Sequence, residues 1–230
     1  MATVACDGQT VREINAEIKR LSAAGEKEIT VTDPGARHNL GVAVLQDTRL
    51  RFEGSVGYYC AGMIDGPTVE VSGSAGWGLA ESMKGGHVVV HGNAGNGAAA
   101  AIRGGTVVIH GDAAARLGVA LKGGTVLVGG NSGYMAGFMG QQGKLIVCGN
   151  TGEAFADSMY ETVCFVGGEI KELGNDAVVE EPDEEDRAFL SSTLETHLPG
   201  KSIDGFRKIV AGRKLWTFDK KERALWREAL

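Results

Sequence analysis

Proline is scarce in this chain and paired cysteine motifs are missing. Only 4 of 230 residues are proline, against 36 glycines. Glycine without proline excludes a collagen triple helix, and a composition that is 43% hydrophobic and 23% charged excludes bulk disorder. There is no basic excess. Net charge is −6, whereas a nucleic-acid binder carries a positive footprint. No apolar run approaches the roughly 20 residues of a membrane-crossing helix. The opening stretch Met1–Asp7 lacks the basic start and apolar core of a secretory signal, so a cytoplasmic location is expected. Cys6, Cys60, Cys148 and Cys164 form no Cys-x-x-Cys pair. They read as small half-buried thiols in a reducing compartment, not as zinc or iron–sulfur ligands.

What is present in excess is glycine at a fixed period. Stepping by 19 from Gly54 reaches Gly73, Gly92, Gly111, Gly130, Gly149 and Gly168, and stepping back reaches Gly35. Four residues before each glycine stand Val31, Leu50, Val69, Val88, Val107, Val126, Leu145 and Cys164. Two before, from the second coil on, stand Phe52, Val71, Val90, Ile109, Val128, Val147 and Val166. Positions two apart share one face of a strand, so both columns point into a coil. A further inward column runs Ile64, Met83, Ile102, Leu121, Gly140 and Met159, and Gly85-Gly86, Gly104-Gly105 and Gly123-Gly124 mark a corner. Asn93, Asp112, Asn131 and Asn150 follow the column glycines and are expected to stack as a ladder. One coil cannot bury its own strand, but stacked coils can. The fold class is therefore an all-β solenoid, a right-handed parallel β-helix of 19-residue coils.

Three segments follow. Residues 1–30 hold a helix opened by the capping box Thr10-Val11-Arg12-Glu13 and an entry strand at Glu28–Thr32. Val11, Ile14, Ile18 and Leu21 share one face of that helix, which is expected to cover the open N-terminal end. Residues 31–175 form the β-helix. Residues 176–230 form a helical and extended tail, with helices expected at Arg187–His197, Ser202–Ala211 and Asp219–Leu230. Arg213–Phe218 reads as an extended docking segment that packs on the rod or on a partner.

No catalytic, cofactor-binding or metal-binding residue is expected in this chain. His91 and His110 lie one period apart and should stack on the outside of adjacent coils, but their column continues with Gly129 and Cys148, too few ligands for a metal. Gly95–Ala100 imitates a dinucleotide-binding loop yet opens no helix of a βαβ unit. Two outward columns stand out. Val89, Val108, Leu127, Ile146 and Phe165 make an apolar stripe that demands a cover, either the C-terminal tail or a partner subunit. Lys84, Arg103 and Lys122 make a basic ladder, either a solvated edge or a dock for an acidic surface. With Trp216 and Phe218 of the tail, these residues are the candidate partner interface.

The segments Gly73-Ser74-Ala75-Gly76-Trp77-Gly78 and Gly92-Asn93-Ala94-Gly95-Asn96-Gly97, the Gly-Gly corners and the entry Asp33–Gly41 resemble the C-terminal GXGXG β-helix domain of the glutamate synthase large subunit. The resemblance covers residues 28–175. A separate chain with its own N-terminal helix, and a tail like Phe206–Trp216, is similar to the stand-alone β-helix subunits of N-methylglutamate synthases. One of the subunits of formylmethanofuran dehydrogenase shares the β-helix. The resemblance implies a non-catalytic subunit that holds two enzyme subunits in register. One would be a class II glutamine-amidotransferase-type subunit and the other an FMN-binding, iron–sulfur-containing synthase subunit. It implies amine transfer, with methylamine or ammonia as the amine. Cys6 is not an N-terminal nucleophile, so the amidotransferase role does not carry over to this chain. A free-standing carbohydrate-processing β-helix enzyme would need clustered carboxylates on one outer face, and the repeat columns hold none.

Overall fold

The computed structural model describes residues 2–215. Nine strands stack in parallel in chain order: β1 (Ala2–Ala5), β2 (Glu28–Thr32), β3 (Arg49–Glu53), β4 (Thr68–Val71), β5 (His87–Val90), β6 (Thr106–Ile109), β7 (Lys122–Val128), β8 (Gln142–Val147) and β9 (Glu161–Val166). From β3 onward the register advances by 19, pairing Leu50 with Val69, Val69 with Val88, Val107 with Val126 and Leu145 with Cys164. The chain is a β-solenoid. Both inward strand columns are buried, as are Ile64, Met83, Ile102, Leu121 and Met159. A third buried column, Cys60, Leu79, Ala98, Leu117, Ala136 and Phe155, completes the core. Each fully buried aliphatic side chain contributes about 1.5–3 kcal/mol, so one uninterrupted core runs along the stack.

The column glycines serve a purpose other than turning the chain. Gly92, Gly111, Gly130 and Gly149 do not adopt left-handed backbone. A Cβ on Gly111 would stand 2.8 Å from the Gly92 carbonyl oxygen and would overlap Asn93 Oδ1. Close approach of coil to coil demands glycine there. The residue after each column glycine then bonds to the next coil. Ser55 and Ser74 Oγ, then Asn93, Asp112, Asn131 and Asn150 Oδ1, each accept from the backbone N–H nineteen residues on, at 2.7–3.1 Å. The expected ladder is present and begins two serines earlier. Asn131→Ala removes the acceptor for the Asn150 N–H at an exposed rung. A loss of about 1 kcal/mol is expected, read as a lower urea midpoint with unchanged slope.

Left-handed residues cluster elsewhere in the coil. Gly97, Ala99 and Ala101 have φ of 69°, 57° and 53°, and Arg116, Gly118 and Ala120 repeat this one coil later. Their N–H groups donate alternately forward and back along the stack: Gly97 to Ala115 O, Ala99 to Leu79 O, Ala101 to Val119 O, at 2.8–2.9 Å. Left-handed backbone costs an L-residue roughly 1–2 kcal/mol, and the inter-coil bonds on both sides offset that cost. Glycine and alanine take many of these positions, and Tyr59, Met63, Arg116, Met135 and Met139 take left-handed backbone there too.

Three expectations need correction. The 19-residue period does not reach the first coil. Ile29 pairs with Leu50 and Val31 with Phe52, a stride of 21, so Gly35 is not equivalent to Gly54 and Val31 is not equivalent to Leu50. One extra residue is taken up around Asp33-Pro34-Gly35, where Asp33 and Gly35 are both left-handed and Pro34 packs against Gly54. The second is taken up between Val44 and Thr48, since the Asp65 N–H reaches back to Val44 O but the Thr68 N–H reaches back to Thr48 O in the ordinary register. Next, the N-terminal segment holds a strand, β1, that the sequence pattern does not show. It adds a strand beyond β2, and α1 (Val11–Ala23), with the expected Thr10–Glu13 capping box, buries Ile14 and Ile18 against it. Asn15 of α1 bonds to Asn39 O and the Gly41 N–H, which fastens the helix to the first coil.

At the other end, Arg207–Ala211 is strand β11, not part of a helix. It lies antiparallel between β9 and β10 (Ala177–Glu180). Gly205, at φ 77°, interrupts any helix through Ser202–Ala211, and Ile209 and Ala211 alternate inward. The free edge of β9 supplies hydrogen bonds that a lone amphipathic helix would not satisfy. Helix α2 (Glu184–His197) is present, and its Asp183–Asp186 capping box starts it three residues earlier than the helical pattern suggests. The helix expected at Asp219–Leu230 lies outside the described residues.

Candidate interaction surface

The apolar stripe is covered by this chain's own tail. Val108, Leu127, Ile146 and Phe165 stack in register across β6–β9 and are buried. Leu190 and Leu194 of α2, with Leu198 and Phe206, close over them, and Val89 packs at the margin. Lys144 Nζ lies 3.5 Å above the Phe189 ring. Lys208 of β11 fixes the helix start through an ion pair with Asp186 at 2.7 Å. The stripe is therefore internal packing: Val108, Leu127, Ile146 and Phe165 are buried beneath the tail, and Val89 is half-buried at its margin.

The basic ladder remains open. Lys84 and Arg103 are exposed and Lys122 half-buried, and none has an ion-pair partner among the described residues. Trp216 and Phe218 lie outside the described residues. The last described segment is held down where Lys214 and Leu215 N–H donate to Asp176 Oδ2.

The titratable groups do not form a reactive set. Burial pushes the Cys60 thiol up to about 12 and the Cys148 thiol up to about 11, and raises Cys164 as well. These thiols stay protonated and sit in different coils, so they fit neither a nucleophile nor a cluster. Among the described residues no three His, Cys, Asp or Glu side chains converge on a metal position. His91 and His110 stack outside adjacent coils at 4.9 Å, and His91 Nε2 meets Glu70 Oε1 at 2.9 Å.

A second histidine pair joins elements. His87 of β5 stacks on His197, the last residue of α2, at 5.1 Å. Burial first, then the His197 charge, lowers His87, and burial lowers His197. Both therefore favour the neutral ring when folded, while the unfolded chain protonates near pH 6.5. Their contribution is present above that pH and is lost as pH falls below it. Thermal melts are expected to drop between pH 7.5 and 5.5, and His197→Gln should flatten that drop.

One surface has no counterpart in the strand columns. Tyr58, Trp77 and Tyr134 occupy one 19-residue column and are 45%, 62% and 49% exposed; Met63 and Met139, in the same left-handed segment, are 44% and 43% exposed. Strand alternation does not find them, because their segment is not a strand. The available signal is that all three aromatics fall at one coil position. Asn96 and Ala115 fill the same column between Trp77 and Tyr134, and exposed Arg116 stands beside it, so the face is aromatic with polar residues interspersed. Two positions beyond the Met63 and Met139 column comes the column of Lys84, Arg103 and Lys122.

A stacked parallel solenoid with a closed core and a self-covered stripe defines a β-solenoid domain. The chain belongs to the GXGXG motif family, whose model matches residues 35–220. That membership links it to glutamate-synthase-type proteins. A search of curated proteins found no match. No helix among the described residues is long and apolar enough to cross a membrane.

Proposed function

We propose that this chain is the non-catalytic scaffold subunit of an FMN-dependent, amidotransferase-type synthase complex in the cytoplasm. The complex is N-methylglutamate synthase, which converts glutamate and methylamine to N-methylglutamate and ammonia. Its partners are a class II glutamine-amidotransferase-type subunit and an FMN-binding glutamate-synthase-type subunit with an iron–sulfur cluster. The observation that carries this reading is the GXGXG match over residues 35–220. The physics supports it: the coils repeat at fixed spacing, about 4.8 Å, and such a rod spaces two attached subunits rigidly.

The test is to purify the tagged full chain from its native source and identify what accompanies it. Two further polypeptides, a bound flavin and methylamine-dependent formation of N-methylglutamate are expected. Recovery without partners would sink the scaffold reading. A complex making glutamate from glutamine, 2-oxoglutarate and a reductant would replace it with a multi-chain glutamate synthase. Copurified tungsten or molybdenum pterin would replace it with a formylmethanofuran dehydrogenase or formyltransferase complex.

A further inference from the structure

We propose that the face bearing Tyr58, Trp77, Tyr134, Met63 and Met139 docks a separate protein chain that presents a row of carboxylates along the Lys84–Arg103–Lys122 edge. The inference rests on the scaffold reading and adds which surface is used and what the partner offers.

Three observations converge. The first is chemical. Trp, Tyr and Met are the residue types that anchor interfaces, and here they stand over half or nearly half exposed. From Tyr58 to Tyr134 the patch spans four coil steps, about 19 Å, which is the scale of an interface core.

The second is electrostatic. Three cations follow one another in register, with no acid paired to any of them among the described residues. Like charges stacked across a parallel ladder repel. A facing row of carboxylates removes that repulsion and fixes the partner's register along the rod.

The third concerns competitors. The other apolar surface of the solenoid is already closed by α2. This chain's own residues 216–230 carry Lys220, Lys221, Arg223 and Arg227 against Asp219, Glu222 and Glu228. That segment interleaves cations with its acids and so offers no row of carboxylates to the basic edge.

The test uses the full chain in its native source. A photo-crosslinking phenylalanine analogue in place of Trp77 reports what covers the face. Separately, Lys84→Glu/Arg103→Glu/Lys122→Glu and Trp77→Ser/Tyr134→Ser are compared with wild type for recovery of the associated polypeptides. Thermal melts of each variant confirm folding. The expected result is a cross-link to a different polypeptide, at a segment rich in Asp and Glu. Charge reversal should weaken its recovery at least about tenfold, and raised salt should bring wild type toward the variant. A cross-link to residues 216–230 or to a second copy of this chain would overturn the proposal. Unchanged recovery from both variants would do the same.

The two readings can fail separately. Enzyme subunits that copurify undiminished with the variants leave the scaffold role standing and remove this face. A cross-linked acidic partner that is neither amidotransferase nor synthase keeps the face and removes the assigned complex.

Discussion

Replacing Gly111 with alanine is expected to destabilise the solenoid by about 3 kcal/mol. The added Cβ would lie 2.8 Å from the Gly92 carbonyl oxygen and 3.0 Å from its carbonyl carbon, and it would collide with Asn93 Oδ1. The Asn93 side chain is a rung of the ladder, accepting from the Asp112 N–H at 2.8 Å. Relief therefore requires the coils to part and the rung to break. Gly97→Ala is the control. Gly97 has φ 69°, and an added methyl there would meet nothing within 4 Å, so the cost is backbone alone, roughly 1–2 kcal/mol. Urea unfolding followed by circular dichroism separates the two. Equal losses would mean that the column glycines are kept for conformation and not for contact.

That distinction marks where the sequence stops being legible. The stride of 19, the inward columns and the Asn ladder are readable because identical residue types recur at identical spacing. The same regularity hides the exception. Gly35 extends the glycine column arithmetically, but the pairing of Val31 with Phe52 removes it from the column. Spacing records neither single extra residues in two separate loops nor which coil a loop pairs with. Arg207–Ala211 misleads for a different reason. Arg-Lys-Ile-Val-Ala is short enough to suit a helix or a strand, and the unpaired edge of β9 decides between them. A free edge is a tertiary fact that local propensity does not contain.

The aromatic face is illegible for a third reason. Period-two alternation assumes extended backbone, and in residues 97–101 left-handed residues alternate with the others. Side chains there do not follow the strand rule, so the sequence pattern assigns Tyr58, Trp77 and Tyr134 to no face at all. The apolar stripe, by contrast, is legible as a surface that needs a cover, and α2 supplies it.

Phe165→Ala tests that cover directly, with an expected loss of about 3–5 kcal/mol. Phe165 is fully buried between β8 and β11, pairing with Ile146 and Lys208, and its ring centre lies 6.3 Å from that of Phe189 on α2. Truncation opens a cavity under the helix that the strands cannot fill, because their spacing is fixed by the ladder. The loss should be local. Hydrogen exchange is expected to show α2 amides, Glu184–His197, losing protection while β4–β6 keep theirs, since coil stability depends chiefly on nearest neighbours. Uniform loss along the rod would mean that α2 is integral to the solenoid and not a cover laid upon it. If α2 loosens alone, the stripe becomes a second exposed apolar surface. The variant should then self-associate through it, whereas the wild-type chain keeps the stripe covered.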